Sequence, residues 1–260
     1  MQRVLFHSTI FGPIHSRRLG TSLGINLTPD DGKICSFDCL YCEAGYNAQG
    51  PGTTGMADPA ALEAELEARL RQMKAEGQSL DVITFSGNGE PTLHRDFEKI
   101  VDIVIRLRDI YYPEARISVL SNSTRLADPG VCRALRKVDN NILKLDSAVP
   151  ATVRLLDRPV DPGFDIERTI GQLGQFAGQA IIQTMLTRGS HEGERVDNTL
   201  DREIDALIAA YKRIKPREIM LYTIDRPTPE TTLEHVSAAE LRAAADRITR
   251  ETGIPVQVSA

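Results

Sequence analysis

Three of the four cysteines lie within eight residues and form a CxxxCxxC triplet of Cys35, Cys39 and Cys42. Thiolates at this spacing can bind three corners of a [4Fe–4S] cube and leave one iron without a protein ligand. That open iron could bind a substrate or a cofactor. The fourth cysteine, Cys132, falls in an apolar helical pattern, where a free cysteine acts as a small hydrophobic residue. We therefore expect a cluster at the triplet and Cys132 in the core.

Zinc is the main alternative for the triplet. Structural zinc usually has four protein ligands, and the nearby sequence offers no second CxxC or HxxxH pair to supply the fourth. A disulfide framework would spread its cysteines more evenly along the chain. Clustered thiols in a reducing compartment indicate a metal, and we favour an iron–sulfur cluster over zinc.

A second chemical pattern, residues 86–92, directly follows a predicted strand and contains Gly87, Asn88, Gly89 and Glu90. The glycines allow the backbone to approach a ligand, and the carboxylate of Glu90 could hold an ammonium group. Many strand-to-helix turns contain Gly-x-Gly and a charge, so the pattern by itself also fits an ordinary turn.

Polar residues close the third and fourth predicted strands. Ser121, Asn122 and Ser123 end the third strand, where they predict either ligand contacts or an ordinary turn. Lys144 and Asp146 are two residues apart in an otherwise apolar strand, so both side chains should point to one face. This pair predicts either a polar interior of the sheet or a structural salt bridge.

Several further candidates lie near the expected ends of strands. Arg17, Arg18 and Arg226 could bind an anionic group such as phosphate or carboxylate, or could be solvated surface residues. The polar loop 190–198 follows the fifth predicted strand and could act as a lid or substrate reader. Gln183 and Tyr222 are polar residues within apolar strands, and we expect them at interior or rim positions of the site rather than in catalysis. We assign no catalytic role to His15, His94 or His191.

The elements that must position these residues are short β-branched runs alternating with longer helical patterns. The runs read as six strands, at residues 22–27, 82–85, 117–121, 142–146, 181–187 and 219–224. Helix starts are indicated by Asp58-Pro59, by Asp128-Pro129 and by the capping box Ser237-x-x-Glu240. Further apolar stripes run from residue 166 and from residue 200, and the last helix should end near Gly253.

Strands buried beneath helices in this order form a parallel sheet, either doubly wound or curled as in a barrel. Six units are fewer than the eight of a closed barrel. In either arrangement the active site should lie at the carboxyl ends of the strands, where the connecting loops converge.

Length and composition fit a single α/β domain. The chain has 260 residues, 41% hydrophobic and 26% charged, which is enough for a well-buried core. We expect an N-terminal extension (1–21), a core (22–251) and a C-terminal tail (252–260). No membrane-length apolar run or signal peptide is evident, so we expect a cytoplasmic protein without a membrane partner. The net charge of −5 gives no global attraction for nucleic acid, and an RNA partner would need a local basic patch.

The triplet, with Tyr41 directly before its last cysteine, resembles the signature of the radical S-adenosylmethionine (radical SAM) superfamily. The resemblance extends along most of the chain. Residues 11–26, with the sequence FGPIHSRRLGTSLGIN, resemble the N-terminal block of a stand-alone group related to wyosine (tRNA-modifying) synthases. Residues 84–94 and the Arg226-Pro227 pair also resemble that group.

The resemblance implies a partial (β/α)6 barrel that binds a single [4Fe–4S] cluster through Cys35, Cys39 and Cys42. It further implies that the amino and carboxylate groups of SAM bind the open iron. One electron then cleaves SAM to methionine and a 5′-deoxyadenosyl radical, which abstracts hydrogen from a substrate. The protein would supply position, orientation and the exclusion of water.

The resemblance also implies where SAM binds. Residues 87–90 resemble the Gly-Gly-Glu element that holds the SAM amino group, with Asn88 in place of the second glycine of the common form. Ser121, Asn122 and Ser123 resemble the position that contacts the SAM ribose or carboxylate. Together with Lys144 of the polar pair in the fourth strand, the expected cofactor-binding residues are Tyr41, Gly87, Asn88, Gly89, Glu90, Ser121 and Asn122.

Two classes of function follow. The first is a radical SAM enzyme acting on a tRNA base, a peptide or a small anionic metabolite, with an electron donor such as flavodoxin or ferredoxin. The second is an iron–sulfur sensor or binding protein that does not turn over SAM. A carboxylate such as Glu90 at a strand end would be superfluous to a sensor, which favours the enzyme.

Overall fold

The computed structural model describes residues 3–16 and 20–259. Within them, the strands are β1 (Ile10–Ser16), β2 (Gly20–Ile25), β3 (Val82–Phe85), β4 (Arg116–Ser121), β5 (Asn140–Lys144), β6 (Ile181–Met185), β7 (Thr187–His191), β8 (Glu194–Asp197), β9 (Glu218–Tyr222), β10 (Glu234–His235) and β11 (Val256–Ser259). The α-helices are α1 (Pro59–Ala75), α2 (Phe97–Tyr111), α3 (Pro129–Lys137), α4 (Pro150–Leu156), α5 (Ile166–Leu173), α6 (Asp201–Ile214) and α7 (Ala238–Thr252).

The six predicted strands are confirmed as the parallel series β2-β3-β4-β5-β6-β9. β1 pairs antiparallel with β2 at one edge, and β11 pairs parallel with β9 at the other. Ile14 of β1 and Ser259 of β11 line the same pocket, although the two strands are not neighbours in the sheet. The sheet is therefore curled so that its edges face one another, which confirms a partial (β/α)6 barrel.

Two segments that the sequence analysis placed outside the core contribute edge strands to this sheet. The expected extension, 1–21, contains β1, and the expected tail, 252–260, contains β11. Each pairs through backbone hydrogen bonds with a strand of the parallel series. The sheet therefore extends beyond residues 22–251 at both ends.

The predicted polar loop 190–198 is mostly a hairpin. β7 and β8 pair antiparallel, and β10 joins β7 to make a separate three-stranded sheet. The sequence analysis also gave no helix between the second and third predicted strands, where α2 lies. The apolar side of α2 is buried through Phe97, Ile100, Val101, Ile103, Val104 and Leu107.

The predicted helix starts are confirmed by their caps. The Asp58 carboxylate accepts hydrogen bonds from the amides of Ala60 and Ala61, and Asp128 caps α3 in the same way. Ser237 forms a capping box with Glu240, and Gly253 ends α7 in the left-handed conformation with φ of +73°.

The main core lies between the sheet and the helices, and Cys132 is buried in it as predicted, with 5% exposed. A smaller apolar cluster of Ile142, Ile181 and Met220 is joined by Leu120. Alternation along β5 puts Lys144 on the same face as Ile142, so this polar residue lies further toward the carboxyl end of the same side of the sheet. None of the described helices is long and apolar enough to cross a membrane.

Candidate active site at the carboxyl ends of the strands

The three clustered cysteines lie in the connection between β2 and α1, in a segment that we call the cysteine loop (residues 33–45). Within it, the Cys42 amide donates to the Cys39 carbonyl (3.2 Å), and the Gly45 amide donates to the Cys42 carbonyl (2.9 Å). The loop also pairs with the end of α4, where the Leu40 amide donates to the Leu156 carbonyl (3.0 Å). Backbone hydrogen bonds within the loop and to the end of α4 therefore fix the positions of the cysteines.

Gly89 brings the residues after β3 into direct contact with the cysteine loop. Gly89 forms a β-bridge with Ile34, and the Glu90 amide donates to the Ile34 carbonyl (3.1 Å). A Cβ atom on Gly89 would lie 1.8 Å from that carbonyl oxygen, so no side chain fits. Gly87 has φ of +149°, and a Cβ there would lie 2.2 Å from Asn26 Oδ1. In this structure both glycines allow close contacts between segments of the same chain.

Glu90 is buried and connects β3 to β4. Its Oε1 accepts hydrogen bonds from the Thr92 amide (3.0 Å), the Thr92 hydroxyl (2.6 Å) and the Ser121 hydroxyl (2.9 Å). Its Oε2 accepts from the Asn122 amide (2.6 Å). Burial raises the pKa of Glu90, and these hydrogen bonds offset only part of that effect. The Glu90 carboxylate thus joins residues 86–92, which follow β3, to Ser121 and Asn122 at the end of β4.

Asn122 extends this connection to the cysteines. Its Nδ2 donates to the Ser36 hydroxyl (2.9 Å) and lies 3.6 Å from Cys35 Sγ. Ser123 takes a left-handed conformation, with φ of +70°, and its hydroxyl donates to the Lys144 carbonyl (3.2 Å). The strand-end residues predicted from sequence are therefore brought together around the first cysteine.

Asn88, the residue that departs from the glycine-rich element, holds the N-terminal segment. Its Oδ1 accepts from the Phe6 amide (2.8 Å), and its Nδ2 donates to the carbonyls of Phe6 (2.8 Å) and Pro29 (2.9 Å). The side chain is fully buried. Its polar atoms are therefore engaged by the protein's own backbone.

Lys144 lies in a buried cluster of charges beside Cys39. Its Nζ contacts Asp146 Oδ2 and the Tyr41 hydroxyl, and it lies 2.8 Å from Asp157 Oδ1. The Cys39 thiol lies 3.9 Å from the same Asp157 oxygen. Burial lowers the pKa of Lys144, but the surrounding negative charges, those of Asp146 and Asp157 foremost, together raise it by more, so the pKa lies well above its ordinary value. Both sequence alternatives for the Lys144–Asp146 pair, an interior position and a salt bridge, are present together.

Two residues of this region were missed by the sequence analysis. Asp157 follows α4 and is buried beside Lys144, and burial raises its pKa. Lys33 is buried within the cysteine loop, where burial lowers its pKa, but negative charge on the sulfur atoms of Cys42, Cys35 and Cys39 and on Asp38 raises it by more. Neither belongs to a recognisable motif. The position of Lys33 two residues before Cys35 is the one signal that could have indicated it.

In the protein alone, the Cys35 and Cys39 thiols are held in the neutral form. Burial and the nearby Glu90 carboxylate raise the pKa of Cys35 to about 12, and burial raises the pKa of Cys39 well above its ordinary value. A bound metal would stabilise the thiolates instead. Within residues 3–16 and 20–259, no three His, Cys, Asp or Glu side chains converge on a single ion. A cluster distributes its ligands over three irons, so the thiols need not converge, and the donor set fits a [4Fe–4S] group.

A pocket of about 480 Å³ opens beside the cysteine loop, at the carboxyl ends of β3, β6 and β9. Tyr41 and Glu43 of the loop and Arg226 after β9 are among its lining residues. Arg226 Nη1 lies 2.8 Å from Glu43 Oε2, and both side chains are exposed by two fifths or more. The remaining residues that line the pocket are Ile14, His15, Ser86, Met185, Tyr222, Thr223, Ile224, Asp225, Thr228 and Ser259.

The other sequence candidates have separate positions. Gln183 is buried next to Lys144 in the β5–β6 register. His94 is buried, with Nδ1 accepting from the Asp96 amide (3.0 Å) and Nε2 2.7 Å from the Ala57 carbonyl. His191 Nδ1 lies 2.6 Å from a Glu230 oxygen. Arg17 and Arg18 lie outside the described residues.

The chain is similar to known proteins along most of its length. The chain is 26% identical over 253 residues to the GTPase Obg of Brachyspira hyodysenteriae, and the match covers 96% of this chain and 35% of that protein. It is 28% identical over 274 residues to a UPF0026 protein of Synechocystis, covering 95% of each. The chain thus spans about a third of the first relative and nearly all of the second.

Solved structures share the fold. A radical SAM methyltransferase from Sphaerobacter thermophilus superposes with a TM-score of 0.66 and 18% identity, over 92% of this chain and 65% of that one. A structure of TYW1 with a lysine-pyruvate adduct gives 0.59 and 16%, over 90% and 75%. The family model described as the radical SAM superfamily matches residues 31–170, just over half of the chain. The chain belongs to the radical SAM superfamily.

Proposed function

We propose that Cys35, Cys39 and Cys42 bind the [4Fe–4S] cluster that this superfamily uses together with SAM. When bound, the cluster supplies the single electron that cleaves SAM to methionine and a 5′-deoxyadenosyl radical, which takes a hydrogen atom from the substrate. The observation that carries the proposal is the direct contact between the cysteine loop and the Glu90 segment, through Gly89, Ile34 and the Glu90 amide.

The chain's own residues hold the site in place in this proposal. Glu90 fixes the Asn122 backbone, and the Asn122 side chain reaches Ser36 and the Cys35 sulfur. Lys144 holds the Tyr41 hydroxyl and the Asp157 carboxylate beside Cys39. Fixed donors and charges of this kind position reacting groups without reorganisation during the reaction.

For SAM, we propose two kinds of contribution from the predicted cofactor-binding residues. Tyr41 lines the pocket, which supports a direct contact with the cofactor. The Glu90 carboxylate and the Asn88 amide already have several hydrogen bonds from the protein, so these side chains shape the backbone around the cofactor. Gly87, Gly89, Ser121 and Lys144 support the same arrangement through the contacts described above.

The substrate enters the pocket beside the cysteine loop. Its volume of about 480 Å³ lies in the range of small-molecule sites, so the reacting unit is a metabolite or one nucleotide or side chain of a larger molecule. Arg226 favours an anionic group on that unit. Residues 11–26 and Arg226-Pro227 support a place in the group related to wyosine synthases, for which the unit would be a tRNA base.

We also propose a single domain, because β1 and β11 belong to the same sheet as the central strands. Radical SAM enzymes need a reductant, and a flavodoxin or ferredoxin fits that need here. Free thiols at the site fit a reducing compartment such as the cytoplasm.

Cluster loading of cysteine variants tests the ligand assignment. After anaerobic reconstitution, we expect about four irons per chain in the wild type and in Cys132→Ser, the matched control, which removes a thiol that is not a ligand. Cys35→Ser, Cys39→Ser and Cys42→Ser should lose most of that iron. Equal loading of all four variants would contradict the assignment. About eight irons per wild-type chain would contradict a single cluster.

A further inference from the structure

Lys33 places an ammonium group inside the cysteine loop. Its side chain is 1% exposed, and Nζ donates to the Gly45 carbonyl (2.8 Å) and lies 3.4 Å from Asp38 Oδ1. Asp38 lies between the first two cysteines, and the Gly45 amide is bonded to the Cys42 carbonyl. The charge is therefore enclosed by the same loop that carries the three thiols.

The two buried lysines near the thiols differ in their partners. Lys144 contacts two buried carboxylates, Asp146 and Asp157, so its positive charge is at least balanced by its own partners. Lys33 has Asp38 as its carboxylate partner, and that carboxylate also lies 3.9 Å from the guanidinium of Arg158. The group of Lys33, Asp38 and Arg158 is thus net positive by one charge.

We propose that Lys33 raises the reduction potential of the cluster, an inference that rests on the proposed binding of that cluster by Cys35, Cys39 and Cys42. Adding one electron makes the buried thiolate-bound group more negative, and a fixed positive charge stabilises the reduced form relative to the oxidised form. Lys33 touches neither SAM nor substrate in this role. It makes the cluster easier for the electron donor to reduce.

Two variants that break the same ion pair test this inference. Redox titrations of reconstituted protein, followed by electron paramagnetic resonance, give the midpoint potential of each. In Lys33→Met, we expect the ratio of reduced to oxidised cluster at a fixed potential to fall about tenfold, which is about 59 mV for one electron. In Asp38→Asn, which removes a negative charge, the ratio should rise.

The opposite signs of the two expected shifts in potential distinguish an effect of charge from an effect of altered structure. Both variants remove the Lys33–Asp38 ion pair, so a purely structural role would shift both potentials in the same direction or leave them unchanged, and either result would overturn the inference. Lys33→Arg keeps the charge and should retain a potential near that of the wild type. If Lys33→Met does not load a cluster, the sign of the shift in Asp38→Asn decides the question.

Failure of the underlying proposal would look different. A wild-type protein without a cluster, or a cluster that survives in Cys39→Ser, would refute the ligand assignment before any potential is measured. A cluster that depends on the three cysteines but has the same potential in every variant would refute the role of Lys33 alone.

Discussion

Replacing Gly89 with alanine should displace the cysteine loop. The new Cβ would lie 1.8 Å from the Ile34 carbonyl oxygen, whereas such contacts are not found below 3.0 Å, so the two backbones must separate by about 1.2 Å. That movement breaks the 3.1 Å hydrogen bond from the Glu90 amide to Ile34. Overpacking and the lost hydrogen bond together predict a decrease of about 2–4 kcal/mol in the free energy of unfolding.

Gly89→Ala should also prevent most of the cluster from binding, because Cys35 directly follows Ile34 and would move with it. We expect Gly89→Ala to retain little iron after reconstitution, measured by iron and sulfide analysis, while urea denaturation gives the stability. Gly171→Ala is the matched control. Gly171 lies in α5 with open space around its Cα, so alanine there should preserve the iron content and increase stability by about 0.5–1 kcal/mol.

The result that would refute this reasoning is specific. If Gly89 were needed only for the approach of SAM to the backbone, Gly89→Ala would keep its iron and its stability and lose SAM affinity alone. Isothermal titration with SAM on the reconstituted variant would show that outcome. It would mean that the contact with Ile34 adapts at little cost.

Three further predictions concern stability and reactivity. Asn88→Ala leaves the Phe6 backbone groups without their partners and should lower the free energy of unfolding by about 2–4 kcal/mol; an unchanged urea midpoint would contradict this. Burial raises the pKa of Asp157, so the folded metal-free protein binds a proton that the unfolded chain has lost. Its stability should therefore fall as pH rises from about 4 to the raised pKa, and Asp157→Asn should weaken that trend; a rise would refute it. Because burial raises the pKa of Cys35 to about 12, iodoacetamide at about pH 8 should modify it far more slowly in the folded metal-free protein than in urea, as read by peptide mass spectrometry. Equal rates would show that the thiol is not protected.

The central strands could be predicted because their signal is local. β3 and β6 are continuous buried runs, as parallel strands covered on both faces should be. β1 was missed because Gly12-Pro13 interrupts its apolar pattern, and β11 because it is four partly exposed residues at a sheet edge. Edge strands depend on the partner strand, which lies elsewhere in the sequence.

The residues of the candidate site likewise fall into those that a local motif predicts and those that only the fold brings together. The cysteines and Glu90 lie in short motifs, so their residue types and spacing indicated the chemistry directly. Asp157 lies beside Cys39 although the two are 118 residues apart in sequence, and the Asn88 side chain contacts Phe6 although they are 82 residues apart. Such contacts arise from the fold. This is why the departure of Asn88 from the glycine-rich element had no explanation until its partners were known.

The formation of 5′-deoxyadenosine tests the account most directly. Anaerobically reconstituted protein would be incubated with SAM and dithionite, beside Cys39→Ala and the control Cys132→Ser, and the products separated by liquid chromatography. The account predicts 5′-deoxyadenosine and methionine from the wild type and Cys132→Ser, and none from Cys39→Ala. A loaded wild-type cluster that yields no 5′-deoxyadenosine, and whose electron paramagnetic resonance signal does not change with SAM, would contradict the enzyme and support an iron–sulfur sensor.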